Sequence, residues 1–292
     1  MADLFYTLKN NVRTVFQFCF AAFTNGYAAG FLKGNIYKGP SKALCLPGLN
    51  CYSCPGALGA CPIGSFQAVI GSRDYRFAFY VAGFLMFFGA VFGRLVCGWM
   101  CPFGLVQDLL YKIPFIKKIR HVPFDKYLKY FKYFILAGFV IILPLTVLDI
   151  VGQGQPWFCK YICPSGTLFA GVPLITLNPS LQASLGGLFA LKIAILTVLI
   201  VASVIIYRPF CRYICPLGAV YGMFNGISVY RYNIDDKKCT KCGKCQRICK
   251  IDIPVYKSPN SPECIRCGEC KKACPHNAIG LNFSKSRGEK KK

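Results

Sequence analysis

Apolar residues in this chain come mostly in long unbroken runs rather than at helical or strand spacing. Four runs approach the roughly 20 residues that a helix needs to cross a bilayer: Val12–Leu32, Phe77–Val96, Tyr133–Ile150 and Leu188–Tyr207. Each carries one formally charged residue near an end, namely Arg13, Arg94, Asp149 and Lys192, where a long side chain is expected to snorkel to the interface. The buried helices of a soluble core would not account for four such runs in one chain of 292 residues. The first run is long, contains Asn25 and Tyr27, and has no clear small-x-small cleavage site before Lys33, so it reads as a retained span rather than a signal peptide.

Between the spans, charge gives orientation. The segment 97–132 carries Lys112, Lys117, Lys118, Arg120, Lys126, Lys129 and Lys132, and 208–292 carries 18 Lys/Arg. By contrast, 151–187 carries Lys160 alone and 33–76 carries five. A multi-pass protein of the cell membrane follows, with both termini and 97–132 in the cytoplasm and 33–76 and 151–187 outside. The formal net charge of +24 is then mostly a topology signal. Nucleic acid is not an expected partner, because the basic residues flank membrane spans.

Composition narrows the class further. Charged residues make up 16% of the chain, against about 25% in ordinary soluble domains. Disorder, collagen and coiled coil are excluded. The 19 Cys are too many for an ordinary membrane protein, and the chain is too long and apolar for a disulfide-stapled miniprotein.

The cysteines form a repeat. Cys61-Pro-Ile-Gly, Cys101-Pro-Phe-Gly, Cys163-Pro-Ser-Gly and Cys215-Pro-Leu-Gly each follow one span. Three have a second Cys four residues earlier: Cys97, Cys159 and Cys211. The first copy has Ala57 there, with Cys45, Cys51 and Cys54 upstream instead. Two halves of like orientation, about 1–130 and 131–230, imply a pseudo-twofold axis along the membrane normal. That axis brings the second motif beside the fourth on the inner side, and the first beside the third on the outer side.

Cys97, Cys101, Cys211 and Cys215 are therefore expected to hold one [4Fe-4S] cluster. Its net negative charge would be offset by Arg94 and Arg208, which sit at the same offset in the two motifs. Pro after each second Cys suits a first helical turn. It places the Cys at a helix N-terminus, where free N–H groups favour thiolate. Short helices are expected at Ser65–Ile70, Leu105–Ile113, Thr167–Ile175 and Ala219–Ile227. A second cluster on the outer side would use Cys159, Cys163 and two of Cys51, Cys54 and Cys61. Disulfides are the alternative for these outer thiols.

The C-terminal segment carries the sharpest pattern. Cys239-x2-Cys242-x2-Cys245-x3-Cys249 is followed by Cys264-x2-Cys267-x2-Cys270-x3-Cys274-Pro275. This is the spacing of a bacterial two-cluster ferredoxin, in which the fourth Cys of each run serves the other cluster. One cluster takes Cys239, Cys242, Cys245 and Cys274, the other Cys264, Cys267, Cys270 and Cys249. A zinc ribbon does not explain eight Cys in this order. Lys250 replaces the Pro of the first run and removes no ligand. Residues 231–283 hold 11 Lys/Arg and 5 Asp/Glu. Even after two clusters the module stays positive, which would steer an acidic ferredoxin or flavodoxin towards it or hold it to anionic lipid.

On these residues the chain resembles the NapH-type membrane polyferredoxins, including NosR and CcoG relatives. Cys97-Gly-Trp-Met-Cys101-Pro-Phe-Gly and Cys211-Arg-Tyr-Ile-Cys215-Pro-Leu-Gly carry the resemblance with the eight ferredoxin Cys. It extends over nearly the whole chain, and the Cys-rich segment 45–61 departs from it. The resemblance implies a membrane electron-transfer subunit of an oxidoreductase complex, linked to quinol or to extracytoplasmic redox partners, but no nitrate- or nitrous-oxide-specific role.

Other chemistry is sparse. His121 lies in a basic inner loop and His276 follows Cys274-Pro275. No span contains His, so haem held by two His within the bilayer is not expected. Asp149 reads as a helix-end residue and Cys19 as a small hydrophobe.

The expected fold is thus a membrane all-α domain (1–230) of four transmembrane helices, with short helices after each Cys-Pro-x-Gly motif. An α+β two-cluster ferredoxin domain (231–283) and a basic tail (284–292) follow. The expected function is passage of electrons between a cytoplasmic carrier and another redox subunit, flavin- or haem-bearing, in the membrane or on its outer face. Two alternatives stand beside it. One is a quinol- or quinone-linked dehydrogenase subunit whose outer Cys are structural, with a pocket near Arg94, Arg208 and His121. The other is a metal or thiol assembly factor.

Overall fold

The computed structural model describes residues 12–72, 75–114, 117–120, 122–149, 153–183 and 185–283. His121 and the basic tail 284–292 lie outside the described residues. The principal helices are α1 (Val12–Thr24), α2 (Pro62–Ser72), α3 (Tyr75–Phe92), α4 (Leu95–Trp99), α5 (Pro102–Tyr111), α6 (Asp125–Thr146), α7 (Pro164–Leu177), α8 (Gly187–Ile205), α9 (Pro209–Tyr213) and α10 (Pro216–Phe224). Strands β1 (Tyr230–Ile234) and β2 (Ile279–Phe283) pair antiparallel, Tyr232 opposite Leu281, and tie together the two ends of the C-terminal module.

Two helices, α6 and α8, are long and apolar enough to cross a bilayer. At 1.5 Å per residue they reach about 33 and 28 Å. The first expected span is interrupted. After α1, Asn25-Gly26-Tyr27 breaks the helix before a short turn at Ala28–Lys33, because Asn25 caps back onto the carbonyl of Ala21 and Tyr27 N–H leaves the helix for Gly56 O. The third span begins at Asp125, eight residues before the apolar run, and contains a wide π turn at Leu136–Ile142.

The two halves interlock. Helix α5 of the first half packs on α8 of the second, and α10 of the second packs on α3 of the first. On the other side α2 packs on α6, and α7 packs on the Ala28–Lys33 turn. Each short helix after a Cys-Pro-x-Gly motif thus crosses to the other half, as a pseudo-twofold arrangement requires. The short helices begin at the Pro immediately after the Cys, so that Pro62, Pro102, Pro164 and Pro216 each stand at a first helical position, where a missing N–H costs nothing. One apolar core contains Cys61, Cys97, Cys101, Cys163, Cys211 and Cys215 together with Phe103, Phe158, Phe210 and Tyr221. A second, smaller core lies in the C-terminal module around Tyr232, Ile251, Ile253, Val255, Ile265 and Ile279.

Candidate metal centres

The inner quartet is assembled from the two halves. Cys97, Cys101, Cys211 and Cys215 are all buried, and their sulfurs lie near enough for their charges to interact. Cys101 and Cys215 act as N-caps: the Gly104 and Gly218 N–H groups each point at the capping sulfur at 3.4 Å. The Gly of the motif has a steric reason. A Cβ at Gly104 would stand 3.1 Å from Cys97 O and 3.3 Å from Arg208 Nη1, and one at Gly218 would stand 3.1 Å from Cys211 O and 3.2 Å from Arg94 Nη2.

The two arginines mirror one another. Arg208 Nη1 donates to Cys97 O at 2.6 Å, and Arg94 Nη2 donates to Cys211 O. Both guanidinium groups are also bound to carboxylates. Arg208 holds Asp108 through Nε at 2.7 Å and Nη2 at 2.6 Å, and Arg94 donates to Glu263 Oε2 at 2.7 Å. Their ion pairs are made with carboxylates, they hold the backbone carbonyls of the quartet, and both charges also lie close enough to Cys97 to act on its sulfur. Arg94 does not snorkel, being 1% exposed, because Glu263 of the C-terminal module and the buried Lys132 close over it. Arg13 likewise turns inward onto Asp108 at 2.8 Å. Arg208 itself takes φ +51, a left-handed strain sustained by its paired hold on Asp108.

The outer quartet is equally composite. Cys51, Cys61, Cys159 and Cys163 line one cavity of about 1060 Å³, with Lys42 and Lys192 on its wall. A Cβ at Gly166 would lie 3.6 Å from Cys51 Sγ, and one at Gly64 would lie 3.7 Å from Cys159 Sγ. Cys54 lies near Cys51 but does not line this cavity: it is 1% exposed and its thiol faces Asn25 Oδ1 at 3.7 Å. Cys45 also lies outside this quartet, in the short parallel bridge with Ala60. Among the described residues no two cysteines are joined in a disulfide.

An irregular buried segment joins the two quartets. A Cβ at Gly48 would be 3.1 Å from Cys101 Cα and 2.8 Å from Met100 O, while Tyr221 donates to Pro47 O at 3.1 Å and Ser165 to Leu49 O at 3.4 Å. From Gly48 to Cys51 the backbone spans at most about 11 Å. The two sulfur sets therefore lie much closer together than the roughly 30 Å thickness of a bilayer's hydrocarbon core. Protein surrounds this non-helical backbone; Leu49 and Asn50 are each 2% exposed.

In the C-terminal module the eight cysteines separate into two small cavities. Cys249, Cys264, Cys267 and Cys270 line one, with Tyr207 and Arg13 beside them. Cys239, Cys242, Cys245 and Cys274 line the other, with Lys238, Lys241, Lys244 and His276 at its edge. These are the two crossed sets that the spacing predicts. Burial pushes the Cys264 thiol up to about 11 and Cys270 to about 12, so metal binding there must release protons. Among the described residues no three His, Cys, Asp or Glu side chains converge on a single ion. Four thiols around a small cavity, with Glu269 also on the wall of the first, suit an iron–sulfur cube, whose four corners spread the ligands more widely than one ion does.

Sequence reasoning missed Gln67 and Gln107. Gln107 Nε2 donates to Cys211 Sγ at 3.1 Å and Gln67 Nε2 to Cys159 Sγ at 3.3 Å. Their signal was a shared offset, six residues after Cys61 and Cys101.

Comparison with known proteins agrees with the geometry. A family model described as a 4Fe-4S binding domain matches three times, at 74–123, 131–174 and 188–234, each match taking in one motif. A second model described as a 4Fe-4S binding domain matches 260–280. An uncharacterized protein of Methanocaldococcus jannaschii is 29% identical over 169 residues, 56% of this chain and 54% of the relative. The putative electron transport protein YccM of Escherichia coli is 27% identical over 168 residues, 56% of this chain and 43% of the relative. The ferredoxin-type protein NapH of Haemophilus influenzae is 26% identical over 180 residues, 61% of this chain and 55% of the relative. The chain thus spans about half the length of the curated relatives it matches. No solved structure matches. The two helices of bilayer length accord with membrane association. With 4Fe-4S binding domains along its length and ferredoxin-type electron transport proteins among its relatives, the chain is similar to the NapH-type polyferredoxins.

Proposed function

We propose that the chain is an electron conduit of four [4Fe-4S] centres, running from a soluble cytoplasmic carrier through the membrane to a redox partner on its outer face. When bound, the clusters supply one-electron carriers. The chain's residues set the order in which they stand. Cys239, Cys242, Cys245 and Cys274 take the outermost cytoplasmic place: Cys242 is exposed, and Lys238, Lys241 and Lys244 ring this cavity, a surface suited to an acidic ferredoxin or flavodoxin. Cys249, Cys264, Cys267 and Cys270 come next, then the inner quartet, then Cys51, Cys61, Cys159 and Cys163.

One contact carries this reading. Gly98, between Cys97 and Cys101, lies against Ile265, between Cys264 and Cys267, so closely that a Cβ would stand 2.2 Å from Ile265 O. Trp99 Nε1 donates to Arg266 O at 3.1 Å beside it. The loops that carry ligands for successive centres thus touch, with no solvent layer between them. In this reading α1 and α3 join α6 and α8 as four spans, both termini are cytoplasmic, and potentials of the partners decide the direction of flow.

Iron and sulfide counts on the purified full chain test it. About sixteen irons per chain are expected, and about twelve in Cys97→Ser or Cys211→Ser. A count of eight, unchanged by either substitution, would leave only an anchored ferredoxin. The reading of outer Cys as purely structural, with quinol chemistry at the inner face, predicts no loss of iron from Cys159→Ser.

A further inference from the structure

We propose that Gln67 and Gln107 tune the two membrane-domain centres, each donating an amide hydrogen bond to one cysteine sulfur and so raising the reduction potential of the centre it touches; this rests on the four-centre reading above. The geometry is repeated. Each Gln stands six residues after the second Cys of a first-half motif, and each reaches the first Cys of the facing second-half motif, Gln107 to Cys211 at 3.1 Å and Gln67 to Cys159 at 3.3 Å. Both are buried, at 1% and 0% exposure.

The orientation of each amide follows from its other contacts. Gln67 Oε1 accepts the Phe158 N–H at 3.0 Å, and its Nε2 also faces Ile63 O at 3.3 Å. Gln107 Nε2 faces Phe103 O at 3.4 Å. A carbonyl only accepts, so nitrogen must face it, and the sulfur receives an N–H. Gln107 Oε1 has no partner, although a buried unpaired acceptor costs stability. An apolar side chain would avoid that cost, and the donor contact to sulfur is what Gln offers in return. The equivalent positions of the second half are Phe169, which has no donor, and Tyr221, whose hydroxyl goes to Pro47 O. Donation therefore runs one way, one amide to each quartet.

The chemistry is simple. Reduction adds one electron, drawn from the neighbouring centre, and no bond or proton moves. With a cluster bound, an N–H aimed at a ligand sulfur would favour the reduced, more negative state over the oxidised one.

Gln107→Met and Gln67→Met keep chain length and remove the donor. Redox titrations of the full chain in detergent, followed by electron paramagnetic resonance, are read beside iron counts. The expected result is full iron, with one wave moved to more negative potential in Gln107→Met, a different wave in Gln67→Met, and the two ferredoxin waves unmoved. Full iron with all waves unmoved overturns the proposal and leaves the four centres intact. If a Met variant loses iron, the corresponding Leu variant is read; loss in both, from a protein otherwise full, assigns a scaffold role and overturns it. Eight irons in the unmodified chain overturn the four-centre reading itself.

Discussion

Arg94 Nη1 donates to Glu263 Oε2 at 2.7 Å, joining the second-motif arginine of the helical domain to the loop just before Cys264. Lys132 of α6 binds the other carboxylate oxygen. One acidic residue thus pairs with two buried cations at the seam between the helical part and the C-terminal module. Glu263→Ala leaves both unpaired, and breaking a buried pair in this way costs about 3–5 kcal/mol. Thermal unfolding of the full chain in detergent should show the loss, while Glu263→Gln, which keeps hydrogen bonding, should show less of it.

The same residue gives a pH dependence. Burial opposes ionisation of Glu263, but Arg94 and Lys132 outweigh it and hold its carboxyl below the ordinary range. A folded pKa below the unfolded one adds stability that is complete above the unfolded value of about 4.3 and is lost as pH falls through the folded one. The difference in melting temperature between the wild-type chain and Glu263→Gln should therefore shrink as pH falls below about 4.3. A difference that grows below that pH would contradict this assignment.

Gly98→Val tests the contact with Ile265. The obstacle is backbone, so the module must shift rather than a side chain rotate; overpacking of this kind costs about 1–3 kcal/mol. Iron content should hold. Rapid reduction of the ferredoxin module followed by freeze-quench spectroscopy should show slower passage to the inner quartet, and an unchanged rate would separate that contact from the path.

Two neighbouring cysteines should behave differently. Cys51→Ser should lose about four irons, since Cys51 lines the outer cavity with Cys61, Cys159 and Cys163. Cys54→Ser should lose none, since its thiol faces Asn25. Equal loss from both substitutions would move the outer ligand set.

Removal of iron with a chelator and oxidant should unfold the C-terminal module before the helical domain. Its core is small, and a module of about 50 residues depends on its metal to fold. Circular dichroism should retain most helical signal while exchange of the amides in β1 and β2 rises. Joint loss of both signals would show that the helical domain also leans on its metal.

The linear order of residues determined a good deal. Cysteine spacing pointed to the crossed sets that line two separate cavities; three thiols of each set lie within a few residues of one another, where local chain geometry places them, and the fourth comes from the other run. Pro after Cys marked a first helical turn, since its locked φ suits one, yet the apolar pattern placed the short helices three residues later than the structure starts them, at Pro62, Pro102, Pro164 and Pro216. The paired inner quartet followed from repeat symmetry. Tertiary structure alone decided which upstream thiol joins the outer quartet: Cys51 and Cys54 differ by three positions, and only the fold of 45–61 turns one towards Cys163 and the other towards Asn25. It also decided that Arg94 and Arg208 meet Glu263 and Asp108, and that Gly48 brings the outer segment to Cys101. Those contacts join residues roughly 50 to 170 positions apart, and buried charge finds its partner by desolvation in three dimensions, a quantity that no one-dimensional pattern of apolar runs contains.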